Sequence, residues 1–194
     1  MEQIIPRWEW RTFAESIETR IDPAGGRHIR HVESTEIYLV AAASTDNPKI
    51  RDGKMDIKAL QAVNDDGLEQ WRPVMKAGFP LSAEQVAAVY RSLGLAVPRL
   101  DRDAYDLEAF LAVIVACGGA IAVRVDKVRD QYELAGCSVE VADVTFDGER
   151  YRTLAVEDPD PAKVTATVET LGLRSRENVN FVAFIRQLKN PSPQ

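Results

Sequence analysis

The stretch Ala120-Ile-Ala-Val-Arg-Val-Asp-Lys-Val-Arg129 begins as an apolar run and ends with two cations two residues apart. Alternate side chains of a strand point to one face, so as a strand it puts Lys127 and Arg129 together and Val128 opposite. The same spacing recurs in Lys49-Ile-Arg51, Asp56-Ile-Lys58 and Arg7-Trp-Glu9-Trp-Arg11. Sheets built from such segments have one apolar face and one charged face, and here the charged face is repeatedly basic. The chain as a whole is acidic, with 24 Lys and Arg against 30 Asp and Glu and a net charge of -6. Cations gathered against that average point to an anion site. The overall sign argues against a general nucleic-acid surface, which needs a broadly basic face.

A chain of 194 residues suits one domain that buries about 70% of its unfolded surface. No repeat or linker divides it, so a single domain over 1–188 with a short tail, 189–194, is expected. Cys117 and Cys137 lie in apolar surroundings without CxxC spacing, which favours two buried free thiols over a disulfide. Met1 to Arg7 lacks a basic region followed by an apolar one. The longest apolar run, Phe110 to Val123, is broken by Gly118-Gly119 and falls short of the roughly 20 residues a spanning helix needs. These features predict a soluble, cytoplasmic protein that does not enter a membrane.

Ile4 to Phe13 reads as a strand with Trp8 and Trp10 on one face and Arg7, Glu9 and Arg11 on the other. A short helix is expected over Ala14 to Ile21, then a strand from His31 to Ala43. Asp52-Gly53 joins Lys49–Arg51 to Lys54–Leu60 as a hairpin. Asn64-Asp-Asp-Gly67 is a turn before a strand over Leu68–Lys76, where Pro73 suggests an edge, a bulge or a bend. Ser82-Ala-Glu-Gln85 has capping-box form and opens a helix to Leu93. Asp103 or Asp106 caps the next helix, which Gly118-Gly119 ends. Strands over Ala120–Arg129, Tyr132–Val144 and Tyr151–Glu157 follow, the last two joined at Asp147-Gly148. Helices over Pro159–Gly172 and Asn178–Leu188 close the chain, with Pro191-Ser-Pro193 frayed. The order is that of an α+β domain dominated by antiparallel strands.

The succession of charged strands resembles the CYTH superfamily, the triphosphate tunnel metalloenzymes. That family opens with Glu-x-Glu-x-Lys, continues through Arg-x-Arg, x-x-Lys and Lys-x-Arg strands, and finishes with Glu-x-Glu. Arg7-Trp-Glu9-Trp-Arg11 stands at the opening motif. Lys49-Ile-Arg51, Asp56-Ile-Lys58 and Lys127-Val-Arg129 stand at the three basic ones, and Val139 to Asp143 with Ala155-Val-Glu157 at the acidic hairpin. The resemblance implies an antiparallel β-barrel-like tunnel of about eight strands flanked by helices, with alternate residues facing the lumen. It implies binding and metal-dependent hydrolysis of inorganic tripolyphosphate, a nucleoside triphosphate or thiamine triphosphate. Lys49, Arg51, Lys58, Lys127 and Arg129 would hold phosphates through charge-assisted hydrogen bonds. Glu9 and Glu157 would hold one Mg²⁺ or Mn²⁺, ions that take oxygen ligands. Arg11 and Glu157 would act in catalysis, with Arg11 beside the reacting phosphate.

Two departures weaken the acidic half. Arg7 replaces one glutamate of the opening pair and Ala155 one of the closing pair, leaving Glu9 and Glu157 in register, with Asp143, Glu140, Glu69 and Glu36 as helpers. The alternative is therefore a module that binds nucleotide or polyphosphate without turnover. Taken singly, Lys127 and Arg129 suit a solvated face, and Glu9 and Glu157 suit salt bridges to Arg11 and Arg129. Trp8, Trp10 and Trp71 read as core residues, and His28 and His31 as surface residues. Pro73 and the short outer strands leave room for a homodimer contact.

Overall fold

A computed structural model describes residues 5–42 and 44–189. Expectations for 1–4, Ala43 and 190–194, the frayed tail among them, lie outside the described residues. Chain order gives β1 (Arg7–Ala14), β2 (Arg27–Ala41), β3 (Asn47–Arg51), β4 (Lys54–Val63), β5 (Glu69–Gly78), β6 (Leu81–Ser82) and α1 (Ala83–Ser92). Then come β7 (Ala104–Tyr105), α2 (Leu107–Ala116), β8 (Ala120–Leu134), β9 (Cys137–Phe146), β10 (Glu149–Asp158), α3 (Pro161–Thr170) and α4 (Phe181–Lys189). Eight strands close into an antiparallel barrel in the order β1-β10-β9-β8-β2-β3-β4-β5, while β6 and β7 form a separate two-stranded ribbon. The expected α+β barrel is the observed fold. No helix among the described residues is long and apolar enough to cross a membrane.

Contacts sort the chain into two units, each made of three segments. Among the described residues, the first comprises 5–34, 61–72 and 125–180. In it, Trp10, Val139, Val141, Leu154 and Val156 form an apolar face packed with Val164 and Val168 of α3. Burying each such side chain contributes about 1.5–3 kcal/mol. Strict alternation sends Glu9, Arg11, Glu140, Thr153 and Glu157 of the same strands to the opposite face. Among the described residues, and so without Ala43, the second unit comprises 35–60, 73–124 and 181–189. Its strands pack Leu39, Ile50, Met55 and Ile57 with Val86, Val89 and Tyr90 of α1 and Phe110 and Ile114 of α2. Glu36, Tyr38, Lys49, Arg51 and Asp56 take the other parity.

Local signals explain most element boundaries. Ser82 caps α1 through a complete capping box: its hydroxyl accepts from the Gln85 amide at 3.2 Å, and its own amide donates to Gln85 Oε1 at 2.9 Å. Asp106, not Asp103, caps α2, accepting from the Ala109 amide at 2.8 Å. Asp52-Gly53 and Asp147-Gly148 have positive φ at both residues, the geometry of two-residue hairpin turns.

Four expectations need correction. Residues 15–20 are not helical, although Ile17 and Ile21 are buried. The β-branched Ile17, Thr19 and Ile21 are poor helix formers, and the isoleucines reach the core from a loop closed by the Gly26 amide donating to the Ile21 carbonyl at 2.8 Å. Tyr132–Val144 is not one strand: Ala135 and Gly136, at φ 52° and 83°, turn the chain between β8 and β9. Pro73 is not at a free edge, since β5 has two neighbours in the barrel. The register of β5 with β1 runs from Glu69 to Trp71, stopping short of the proline that has no N–H to donate. Both cysteines are free, but only Cys137 is buried and Cys117 is exposed, because Cys117 falls at the C-terminus of α2 beyond its packed face.

Candidate functional site

In the first unit, register brings three carboxylates into one row. Glu9 of β1 is the direct cross-strand partner of Glu157 on β10 and of Glu69 on β5. Like charges directly opposite one another repel, so this row needs compensation. Arg11 supplies part of it. Its Nε donates to Glu9 Oε1 at 2.8 Å, and its Nη1 donates to Glu140 Oε1 and Thr153 Oγ1, each at 3.3 Å. Burial opposes the guanidinium charge, but the Glu9 and Glu140 carboxylates overcome it and raise the Arg11 pKa. Arg11 therefore stays cationic. Burial pushes the Glu69 carboxyl up; the 2.7 Å hydrogen bond from Asn180 Nδ2 works against this and the Glu9 charge adds to it.

Lys127 and Arg129 stand on the same charged face. They are 3% and 7% exposed, whereas Val128 between them is 43% exposed. That is the reverse of a solvated sheet, in which the valine would be hidden and the cations wet. Arg129 Nη1 lies 3.6 Å from Glu140 Oε2, so Glu140 bridges Arg11 and Arg129. A cavity of about 450 Å³ in this unit includes Arg7, Arg27, Tyr132, Ser138 and Glu157 in its lining. Glu157 thus meets both the carboxylate row and open space.

The second unit carries its own charged face. Glu36, fully buried, takes Lys49 Nζ at 3.2 Å and the Tyr38 hydroxyl at 2.9 Å. Arg51 Nη2 donates to Asp56 Oδ2 at 3.2 Å, and Lys49 Nζ lies 5.4 Å from the Tyr38 ring centroid. Burial lowers the Lys49 pKa, opposed by Glu36 and assisted by Arg51 and Lys58. Lys58 lies opposite Asn47 in the β3–β4 register, and Lys49 opposite Asp56.

The structure places Glu9, Arg11, Lys127, Arg129 and Glu157 in the first unit and Lys49, Arg51 and Lys58 in the second, where the sequence predicts one tunnel for all. Asp143 does not join them: it is exposed and pairs with Arg152 at 3.2 Å. Lying three residues from Glu140, it falls on the opposite face of β9. Glu140 is a carboxylate beside Arg129, at 3.6 Å. Thr153 and Asn180 were missed. Thr153 could have been found from its parity with Glu157 on β10; nothing local marks Asn180.

No family model and no curated protein matches this sequence. Solved structures do. A putative adenylyl cyclase from Hippeastrum, described as having a dominant triphosphatase activity, aligns at TM-score 0.55 and 11% identity over 97% of each chain. A putative adenylate cyclase from Bacillus halodurans aligns at 0.51 and 9% identity, covering 97% of this chain and all of that one (100%). A conserved hypothetical protein from Pyrococcus furiosus aligns at 0.51 and 16% identity, covering 91% of this chain and 98% of that one. The chain shares the fold of these proteins. Identities this low establish the shared barrel. Ala155 is the cross-strand partner of Arg11, two residues from Glu157.

A divalent cation is the cofactor to test against these residues. Glu9, Glu69 and Glu157 offer only oxygen, which suits Mg²⁺ or Mn²⁺. Among the described residues, however, no three His, Cys, Asp or Glu side chains gather closely enough to hold an ion. The donor chemistry fits, and the described carboxylates alone do not complete a coordination shell.

Proposed function

We propose that the protein binds a triphosphate-containing small molecule on its charged strand faces and hydrolyses it with the help of Mg²⁺ or Mn²⁺. The observation that carries this reading is the inverted exposure of Lys127, Val128 and Arg129. Burying two cations is costly, and a polyanion is the ligand that recovers that cost through charge-assisted hydrogen bonds. Lys127 and Arg129 in one unit, and Lys49, Arg51 and Lys58 in the other, are the proposed phosphate-holding residues. Glu140, Glu36 and Asp56 keep Arg129, Lys49 and Arg51 ordered until phosphate oxygens take over as acceptors. The triphosphatase activity described for the Hippeastrum protein of similar fold agrees with this substrate class.

Glu9 and Glu157 are the proposed metal ligands, with phosphate oxygens completing the shell. A bound divalent ion would neutralise phosphate charge and polarise the phosphoryl group. Arg11 is held charged and its backbone is fixed on both sides: its amide donates to Asn178 Oδ1 and its carbonyl accepts from the Val179 amide, each at 2.7 Å. In this reading its guanidinium stabilises charge gathering on a phosphoryl oxygen, the electrostatic role such donors play best when preorganised. The second reading, a binding module without turnover, draws on Arg7 and Ala155, which thin the acidic set.

Phosphate release from tripolyphosphate with Mg²⁺ or Mn²⁺ tests the proposal. Wild type should release phosphate, and Glu157→Ala should lose activity by about 100-fold or more if its carboxylate holds the ion. Binding without turnover would select the second reading. Tripolyphosphate affinity that survives Lys127→Ala with Arg129→Ala would refute both.

A further inference from the structure

A second cavity, of about 290 Å³, lies in the first unit on the apolar side of β1, away from Glu9 and Arg11. Its floor is Trp10, Leu68 and Val168, all buried. Thr165 of α3 lines it, with a buried hydroxyl oxygen that has no hydrogen-bond partner among the described residues. A helical threonine ordinarily returns its hydroxyl to a carbonyl one turn back, as Thr170 does to Ala166 at 2.9 Å. Leaving it unmatched costs about 1–3 kcal/mol. Arg174 and Arg176 line the same cavity with Asp66, so its lining carries two cations and one carboxylate. Arg174 also pairs with Glu169.

These features form a small amphipathic receptacle: a tryptophan floor, one unmatched hydroxyl and two guanidinium groups. Its volume is at the small end of ligand pockets. Asn178 also lines it, but its amide is already committed, accepting from the Arg11 amide and donating to the Gly67 carbonyl, each at 2.7 Å. Asn178 is therefore wall, not ligand contact. We propose that this cavity binds a small organic anion, a flat apolar body bearing one phosphate or carboxylate group. The body rests against Trp10 and Val168, the anion meets the Arg174 and Arg176 guanidinium groups, and a polar atom of the ligand takes the Thr165 hydroxyl. The site is independent of the triphosphate reading.

The Trp10 indole N–H resonance, assigned by its loss in Trp10→Phe, reports occupancy directly in an NMR titration of the whole protein. Phenyl phosphate and benzoate distinguish the two anion types, inorganic phosphate tests the bare anion, and benzylamine tests the opposite charge. Phenyl phosphate or benzoate should move the Trp10 resonance saturably. Arg174→Ala with Arg176→Ala, both at the surface, should weaken binding by about tenfold or more, as losing charge-assisted hydrogen bonds implies. Thr165→Val should weaken it several-fold while leaving the fold intact. No saturable shift with either aromatic anion, an equal response to inorganic phosphate, tighter binding of benzylamine, or indifference to the double arginine change would each overturn the proposal.

Discussion

Arg11 shows how much one residue can hold. It reaches Glu9, Glu140 and Thr153 with its side chain and Asn178 and Val179 with its backbone. Removing one partner from a buried charge cluster leaves the others uncompensated, which costs about 3–5 kcal/mol. Arg11→Met should therefore lower unfolding stability by that amount in denaturant titration, and adding Glu9→Gln, which removes the carboxylate left facing Glu157 and Glu69, should restore part of it. An exposed residue offers a contrasting test. His31 is held above the ordinary histidine value by its hydrogen bond to Asp130 and then by the Asp130 charge, with Glu33 adding a little. His28 shares the same Asp130 oxygen at 2.9 Å. Because the folded pKa is raised, the stabilisation is complete below the unfolded value of about 6.5 and disappears as pH rises through the folded value. In Asp130→Asn, an NMR titration should place His31 back near about 6.5, and the pH dependence of stability across this window should flatten.

At the scale of elements, legibility followed turn chemistry. The two Asp-Gly turns were readable because Asp and Gly tolerate positive φ. Ala135-Gly136 adopts the same geometry, but alanine in the left-handed region is uncommon and costs roughly 1–2 kcal/mol. The β8–β9 boundary was therefore invisible. Ala135→Asn should stabilise the protein by about 1 kcal/mol in chemical denaturation, since Asn-Gly is the preferred pair for this turn. The helix expected over Ala14–Ile21 failed for the complementary reason. Ile17 and Ile21 have helical spacing, but spacing does not create a helix where β-branched residues dominate and no apolar stripe continues. In the site, parity along each strand was enough to put Lys127 with Arg129 and Glu9 with Arg11. Which strand faces which is set by register, so Glu140's bridge between Arg11 and Arg129, Glu36's hold on Lys49, and Asn180's hydrogen bond to Glu69 could not be read from neighbours in sequence.

For the molecule as a whole, the two faces of each sheet have opposite tolerances. The apolar faces accept any well-packed side chain of similar volume, whereas the charged faces require every ion to have its counter-ion. Val128 makes the consequence concrete. With Lys127 and Arg129 turned in and the valine turned out, β8 encodes its own reading frame: deleting a single residue between Ala120 and Asp126 would exchange the two sides of everything upstream or force the cations outward. Losing two residues there would preserve parity. A library of one- and two-residue deletions in this segment, scored for soluble folded protein, should therefore show odd-numbered losses purged and even-numbered ones partly retained. Insertions and deletions in this part of the chain would then accumulate only in pairs.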